Sequence, residues 1–169
     1  MTAPSRIPAL LVVSASLLVG GAAAYAAGAH VTRDGVGDVK LGAKASELRQ
    51  AGLIGRLRPG CELDGPQART AKLKPPLEGS VNLTKTSPRR VDSIFVTGGA
   101  TASGVGIGSR KRAIKDEFPH VKIEHATEDM FGITLAQVPR SDGGRFQFAI
   151  DVDTKRVTSI GIPFIVFCE

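Results

Sequence analysis

The sequence predicts an α+β fold, built as a tandem duplication of a helix packed on a small antiparallel β-sheet. Three observations support this prediction. The 169 residues are 42% apolar and 22% charged, which is the composition of a folded globular protein rather than a disordered one. The sequence matches itself at one almost constant offset. Within each copy, apolar residues first recur at helical spacing and then alternate as in strands.

The internal repeat has an offset of 65 to 66 residues. Apolar positions align with apolar ones and Gly with Gly in matching blocks, which are 39–42 with 105–108, 79–83 with 144–148, and 90–94 with 156–160. One extra residue in the turn between Ile150 and Lys155 of the second copy accounts for the change of offset. Residues 35–98 and 102–168 are therefore predicted to be two copies of one α+β unit.

Each copy contains the same predicted order of elements, which begins with a short strand over 39–41 or 105–107. A helix is expected over 44–51 and over 110–118, ended by Gly52 and Pro119 respectively. In the second copy Ile107, Ile114 and Phe118 form its apolar stripe. Three strands with period-two alternation follow in each copy, which indicates a sheet with one buried face and one wetter face.

The opening of the first copy resembles known repeats of bacterial envelope proteins. The stretch Gly35-Val36-Gly37-Asp38-Val39-Lys40-Leu41-Gly42, followed by Glu47-Leu48, is similar to repeats of β-lactamase inhibitory proteins and of SmpA/OmlA-type assembly lipoproteins. It also looks similar to uncharacterised secreted proteins of high-GC Gram-positive bacteria. Lys44 and Arg110 stand where those repeats carry a capping Ser or Thr, so weakly capped helices are expected. The resemblance implies a fold and an envelope or extracellular location.

The N-terminus has the pattern of a secretory signal peptide over residues 1–26. Arg6 precedes an apolar run from Ala9 to Val19, and small residues then provide cleavage sites between Ala26 and Ala29. The alternative is an uncleaved membrane anchor, because residues 7–29 carry no charge. No Cys lies at the cleavage region directly after the apolar run, which excludes a bacterial lipoprotein.

Net charge limits the classes of partner. Without residues 1–26 the chain keeps 21 basic and 16 acidic residues, a charge of +5. This surplus permits attraction to anionic wall polymers or lipid headgroups. No arginine-rich block or basic–aromatic alternation is present, so nucleic acid is not an expected partner. No stable membrane span is expected after cleavage.

Catalytic and cofactor motifs are weak, so the sequence predicts no enzyme, no cofactor and no metal site. The glycines from Gly98 to Gly108 match neither common phosphate-loop spacing, and no Gly-x-Ser-x-Gly elbow occurs. His120 and His125 lie near acidic residues, which is the composition of a metal or acid–base site, but the first copy has no counterpart. A hydrolase with a diffuse site is a third alternative.

The predicted function is a secreted, non-catalytic binding module, protein-binding or inhibitor-like. If the helices cover one sheet face, the other face is available to an extracellular or envelope protein, with Phe95 as a half-exposed aromatic among polar groups. That candidate binding face consists of Lys72, Ser80, Asn82, Phe95, Gln137, Arg145 and Gln147. Phe95 could instead be covered by the other copy or by the C-terminal tail. The alternative function is a structural envelope component held to the cell wall by positive charge.

The two cysteines, Cys61 and Cys168, are predicted to form a disulfide. Export places them in an oxidising compartment, and an even count leaves no thiol over. Cys168 ends an apolar run, 162–167, that needs an attachment to the rest of the fold. Two buried free thiols or an intermolecular bond are the alternatives.

Overall fold

The protein is mostly β, so the predicted α+β fold of a helix on a small sheet is wrong. The computed structural model describes residues 28–32, 34–139 and 144–168, of which 48% are in strands and 15% in helices. Short helices accompany one sheet of eight strands and one of five. The prediction failed because further segments, such as Ala29–Thr32 and Ile54–Pro59, also form strands, and because each sheet contains strands from both halves of the chain.

The elements of the described residues are numbered here in chain order. The strands are β1 (Ala29–Thr32), β2 (Gly35–Val36), β3 (Val39–Lys40), β4 (Ile54–Pro59), β5 (Arg69–Leu73), β6 (Glu78–Leu83), β7 (Val91–Gly98), β8 (Ala100–Ala102), β9 (Val105–Gly106), β10 (Lys122–Glu124), β11 (Ile133–Pro139), β12 (Arg145–Asp151) and β13 (Val157–Ile162). The helices are α1 (Ala45–Gln50), α2 (Lys111–Glu117) and α3 (Glu128–Phe131), with a 3-10 turn at Glu62–Asp64.

The eight-stranded sheet is continuous through both halves of the molecule. Its order is β10-β11-β12-β13-β7-β6-β5-β4, and every pair is antiparallel. The last strand of each half forms the central seam, where Phe95 lies opposite Gly161. On either side of this pair, Ile94 lies opposite Ile162 and Val96 opposite Ile160. Phe95 and Gly161 are 66 residues apart, which is the offset of the internal repeat. Equivalent positions of the two halves therefore lie opposite each other at the seam, as in a local two-fold arrangement.

The five-stranded sheet consists of very short strands in the order β3-β2-β1-β8-β9. Strand β1 pairs with β8 in parallel and with β2 in antiparallel orientation, so it joins a hairpin of the first half to a hairpin of the second. Valines and alanines of this sheet, together with α1 and α2, pack against one face of the eight-stranded sheet. That layer is the main core.

Corresponding positions of the two halves make the same contacts. The Arg90 guanidinium donates to the carbonyl of Gly42 at 2.8 Å, and that of Arg156 donates to the carbonyl of Gly108 at 2.6 Å. Lys44 and Arg110 stand at the N-caps of α1 and α2, and neither side chain makes a capping hydrogen bond. Within the eight-stranded sheet the strand order of the first half, β4-β5-β6-β7, also matches that of the second half, β10-β11-β12-β13. These contacts support the proposal that the chain is a duplication.

The predicted signal peptide, residues 1–26, lies outside the described residues, and so do Ala26 and Ala27 of the predicted cleavage region, which extends to Ala29. Gly28 and Ala29 are described, and the Ala29 amide donates to the carbonyl of Gly99 at 2.9 Å. In the described part of the chain, no helix has the length and apolar character needed to cross a membrane.

Candidate functional site

The predicted binding residues lie on one face of the eight-stranded sheet, opposite the main core. The register places one continuous row across seven strands, in the order Lys122, Gln137, Gln147, Gly161, Phe95, Ser80, Lys72. Asn82 and Arg145 are two residues along their strands from members of this row, so they share its face. We call this surface the outer face.

The C-terminal tail, residues 163–168, crosses the outer face at the central seam. A Cβ built on Gly161 would come within 2.6 Å of Ile165 and Phe164, so only a glycine leaves room for the tail there. The Ile165 side chain packs with Leu135 and Ala149 of the second half. Phe167 stacks on Phe131, with ring centroids 4.5 Å apart. The tail therefore covers the second half of the outer face with its odd-numbered side chains.

Gln147 holds this tail and is not part of an open surface, which corrects its predicted role. Its side-chain oxygen accepts a hydrogen bond from the Ile165 amide at 2.9 Å, and the side chain is 7% exposed. Its amide nitrogen donates to Gln137 at 3.4 Å. A buried backbone amide needs an acceptor, and Gln147 supplies it. Of the predicted face residues in the second half, Arg145 is the exposed one.

The disulfide attaches the tail to the first half. Cys61, which follows β4, and Cys168 are joined with their Cα atoms 5.5 Å apart, as the sequence predicts. Phe95 packs against the tail as well, since it belongs to the apolar cluster around Ile165 and Phe167. The alternative interpretation of Phe95, that the tail covers it, therefore describes part of its surface, and the residue stays half-buried.

A cleft remains open on the outer face of the first half, between the tail and the strands. It has a volume of about 300 Å³ and meets a second cleft of about 420 Å³ beside the disulfide. The first cleft is lined by Ser80, Asn82 and Phe95 from the predicted face, by Thr70 and Ser93, and by Phe164, Val166 and the cystine from the tail and β4 end. We call this pair of clefts the tail groove.

Sequence reasoning missed the tail side of this groove. Phe164 is 37% exposed, and Val166 is half-buried. The alternation from Phe164 to Phe167 is the signal that could have shown it. In an extended segment, even-numbered side chains point one way and odd-numbered ones the other, so a tail held at the seam must present Phe164 and Val166 to the first half.

The polar groups on the groove floor are partly bonded to each other. The Asn82 amide donates to the Ser93 hydroxyl at 3.1 Å, and the Thr70 hydroxyl donates to the Val81 carbonyl at 2.9 Å. Hydroxyl and amide groups next to Phe95 and Phe164 form a surface that can take an apolar side chain and satisfy the backbone beside it.

Positive charge is concentrated in the half that carries the groove. Residues 30–98 contain 12 Lys and Arg against seven Asp and Glu, whereas residues 99–169 contain nine of each. Lys72, an exposed member of the predicted face, and the exposed Arg58 lie on strands at that edge of the sheet. The half that carries the tail groove therefore has a net positive charge, and the cleft beside the disulfide is itself lined by Arg69 and Lys85 together with Asp64 and Asp92.

The histidine–carboxylate cluster of the sequence forms a surface contact in the second half. The Nδ1 atom of His125 lies 2.7 Å from the Glu128 carboxylate, to which Thr134 also donates a hydrogen bond. Thr134 first, and then His125, lowers the pKa of Glu128 below its ordinary value. Among residues 28–32, 34–139 and 144–168 there is no group of three or more His, Cys, Asp or Glu side chains arranged to hold a metal ion.

No known protein family matches the sequence, and no curated protein matches it either. The chain is similar to the crystal structure of an extracellular protein containing an SCP domain from Bacillus anthracis, with a TM-score of 0.49 and 16% identity. The similarity covers 72% of this chain and 43% of that one. At this TM-score the likeness assigns no function.

Proposed function

We propose that this protein is exported and acts as a non-catalytic module that binds an extracellular or envelope protein through the tail groove. The observation that carries the proposal is the open cleft in which Phe95, Phe164 and Val166 meet the polar floor of β5 to β7. Partly exposed aromatic and aliphatic side chains inside a polar rim are typical of partner surfaces.

The groove indicates the chemistry of its partner. Its apolar wall fits one or two apolar side chains, and the neighbouring Lys72 and Arg58 favour carboxylates beside them. The partner segment is therefore an exposed loop or strand with an apolar residue flanked by acidic ones. The disulfide and the seam fix both walls, so binding requires little ordering of the groove.

The second half supplies the variants that test this proposal. In the aligned copies Arg145 corresponds to Ser80, and Gln147 corresponds to Asn82. The double substitution Ser80→Arg/Asn82→Gln therefore fills the groove with side chains that the same sheet position already carries in the other half. Arg145→Ser is the matched control, because it makes the reverse change outside the groove.

The experiment is affinity capture from culture supernatant and envelope extract with the mature chain, washed at 0.3 M salt. Wild type and Arg145→Ser are expected to retain the same protein, and Ser80→Arg/Asn82→Gln is expected to lose it. Exposed charge contacts are strongly screened at this salt concentration, so retention there indicates a shape-specific complex. Equal retention by all three proteins would contradict the groove as the binding site.

The alternative function is a structural envelope component held by charge, and the uneven charge of the two halves favours it. All of the surplus lies in residues 30–98. Retention on isolated cell walls that disappears uniformly by 0.3 M salt, with no protein captured, would support this function over the first.

A further inference from the structure

A basic cleft lies at the outer corner of the first half, away from the tail groove. It is lined by Ser46, Arg49, Gln50, Ile54, Gly55, Arg56 and Lys74, none of which lines the groove, and has a volume of about 500 Å³. The three cations come from three places, the last turn of α1, the edge strand β4 and the segment after β5. All three are exposed.

No acidic side chain lines this cleft. In the described part of the chain, none of Arg49, Arg56 and Lys74 forms an ion pair, and the nearby Glu47 is bound to Lys44 at 2.7 Å. Three cations facing one cleft repel each other, so an anion between them relieves that repulsion. The Ser46 hydroxyl and the Gln50 amide add neutral donors.

The corresponding corner of the second half is different. By the repeat alignment, Lys115 and Lys122 replace the two arginines, Pro139 replaces Lys74, and Asp116 replaces Gln50. Asp116 lies 3.6 Å from Arg112, so this corner carries its own counter-charge. A cleft near it is lined largely by apolar groups of Phe118, Pro119, Val121 and Val138. Among the described residues of these two corners, the cluster without a counter-charge belongs to the first half.

From these contacts we propose that Arg49, Arg56 and Lys74 form a binding site for the phosphate groups of an anionic envelope polymer. Arginine binds phosphate oxygens with two parallel hydrogen bonds, and lysine adds a compact charge. The cleft is open and, at about 500 Å³, larger than one phosphate requires, and the half around it carries a surplus of five positive charges. A chain of phosphodiesters fits both features. This site does not depend on the tail groove or on its partner.

Two triple variants test the site with equal loss of charge. Arg49→Gln/Arg56→Gln/Lys74→Gln removes the cluster, and Arg112→Gln/Lys115→Gln/Lys122→Gln removes three exposed cations from the corresponding corner. All six side chains are exposed, so both variants should fold. Melting temperature and circular dichroism of each variant check this before binding is measured.

The probe is a phosphodiester polymer of glycerol phosphate, titrated at 0.15 M salt, with parallel titrations of inorganic phosphate and of vesicles rich in anionic lipid. We expect the first variant to bind the polymer about tenfold more weakly, and the second to change by less than about twofold. The wild type should bind the polymer more tightly per phosphate than it binds inorganic phosphate.

Three results would overturn the proposal. Equal losses in both variants would mean that net charge alone attracts the polymer. Binding to vesicles without binding to the polymer would assign the cluster to a membrane surface. Inorganic phosphate binding as tightly as the polymer would indicate a small-anion site. Capture of a protein through the tail groove is measured with different variants, so each proposal can fail separately.

Discussion

The two halves of the outer face differ most at the seam, where the first half has Phe95 and the second half has Gly161 at the equivalent position. The glycine leaves room for the tail, which then seals the second half with Ile165 and Phe167. The phenylalanine stands beside the tail and forms a wall of an open groove. The outer face is therefore closed in the second half and open in the first. The residue pair at the seam, Phe95 and Gly161, lies at the boundary between the two.

Removing the disulfide should have the largest effect on this difference. In Cys61→Ser/Cys168→Ser, the 107-residue loop is no longer closed, which lowers the free energy of unfolding by up to about 4–5 kcal/mol. The tail should loosen first and expose Leu135 and Ala149. Urea unfolding combined with hydrogen exchange at Ile165 measures both effects. An unchanged melting temperature would show that the tail is held by packing alone.

Core truncations at equivalent positions should show whether the halves contribute equally to stability. Ile114 is fully buried and Leu48 is 5% exposed. Ile114→Ala and Leu48→Ala should each lower the free energy of unfolding by about 3 kcal/mol, because each leaves a cavity under the same sheet. Denaturant titration checks this. Two separate transitions in either variant would mean that the halves unfold independently, despite their shared seam.

Gly161→Ala is the sharpest test of the tail's position. The new methyl group would overlap with Ile165, so we expect a loss of about 1–3 kcal/mol and a displaced tail. Gly55→Ala is the control, because neither Gly55 nor Gly161 has a positive φ and a Cβ added to Gly55 has its nearest neighbour at 3.6 Å. Nuclear magnetic resonance shifts of Phe131 and Phe167 report the tail. If those shifts stay unchanged in Gly161→Ala, the packing described here is wrong.

Gln147→Leu should lower the free energy of unfolding by about 1–3 kcal/mol, because it leaves the buried Ile165 amide without its acceptor. The comparison is Asn82→Leu at the equivalent position, where the side chain bonds only the Ser93 hydroxyl. The effect of Gln147→Leu should be the larger of the two in thermal unfolding. The opposite order would contradict the role of Gln147 in holding the tail.

Acid should loosen the second half locally, and this is the smallest effect. Hydrogen bonding by Thr134, and then by His125, lowers the pKa of the half-buried Glu128 in the folded state. Its contribution to stability is therefore present above the ordinary carboxyl pKa and is lost as the pH falls through the lowered folded value. Hydrogen exchange around α3 between neutral and strongly acidic pH measures it, with Glu128→Gln as the variant that should lack the transition.

Local patterns predicted the elements with a strong period and missed the rest. The helices at Ala45–Gln50 and Lys111–Glu117 fall within their predicted ranges, because an apolar stripe and a following Gly or Pro define them. The disulfide was predicted from the oxidising compartment expected for an exported protein and from the even number of cysteines. A two-residue strand such as Gly35–Val36 has no readable period, and the parallel pairing of β1 with β8 depends on contacts about 70 residues apart. The α+β expectation failed for that reason.

The strands of the candidate site could be predicted from the sequence, whereas the position of the C-terminal tail on them could not. Alternation placed Ser80, Asn82 and Phe95 on one face, and the register agrees. That Gln147 lies under the tail could not be read from its own strand, because the partner is Ile165, 18 residues away in an irregular segment. A long polar side chain such as that of Gln147 can either face solvent or hold a buried backbone group, and the sequence of its own strand does not distinguish the two.

The bond between Cys61 and Cys168 also makes most of the chain a closed covalent ring. Strands β5 to β13 lie inside it, whereas β1 to β4 and α1 lie outside. A protease that cuts one peptide bond within the ring leaves a single covalently linked molecule, with both strands of the seam still attached. A cut before Cys61 separates the N-terminal segment from all the rest. For a protein proposed to work outside the cell, among proteases, the exposed turns of the second half can therefore be nicked without loss of any fragment.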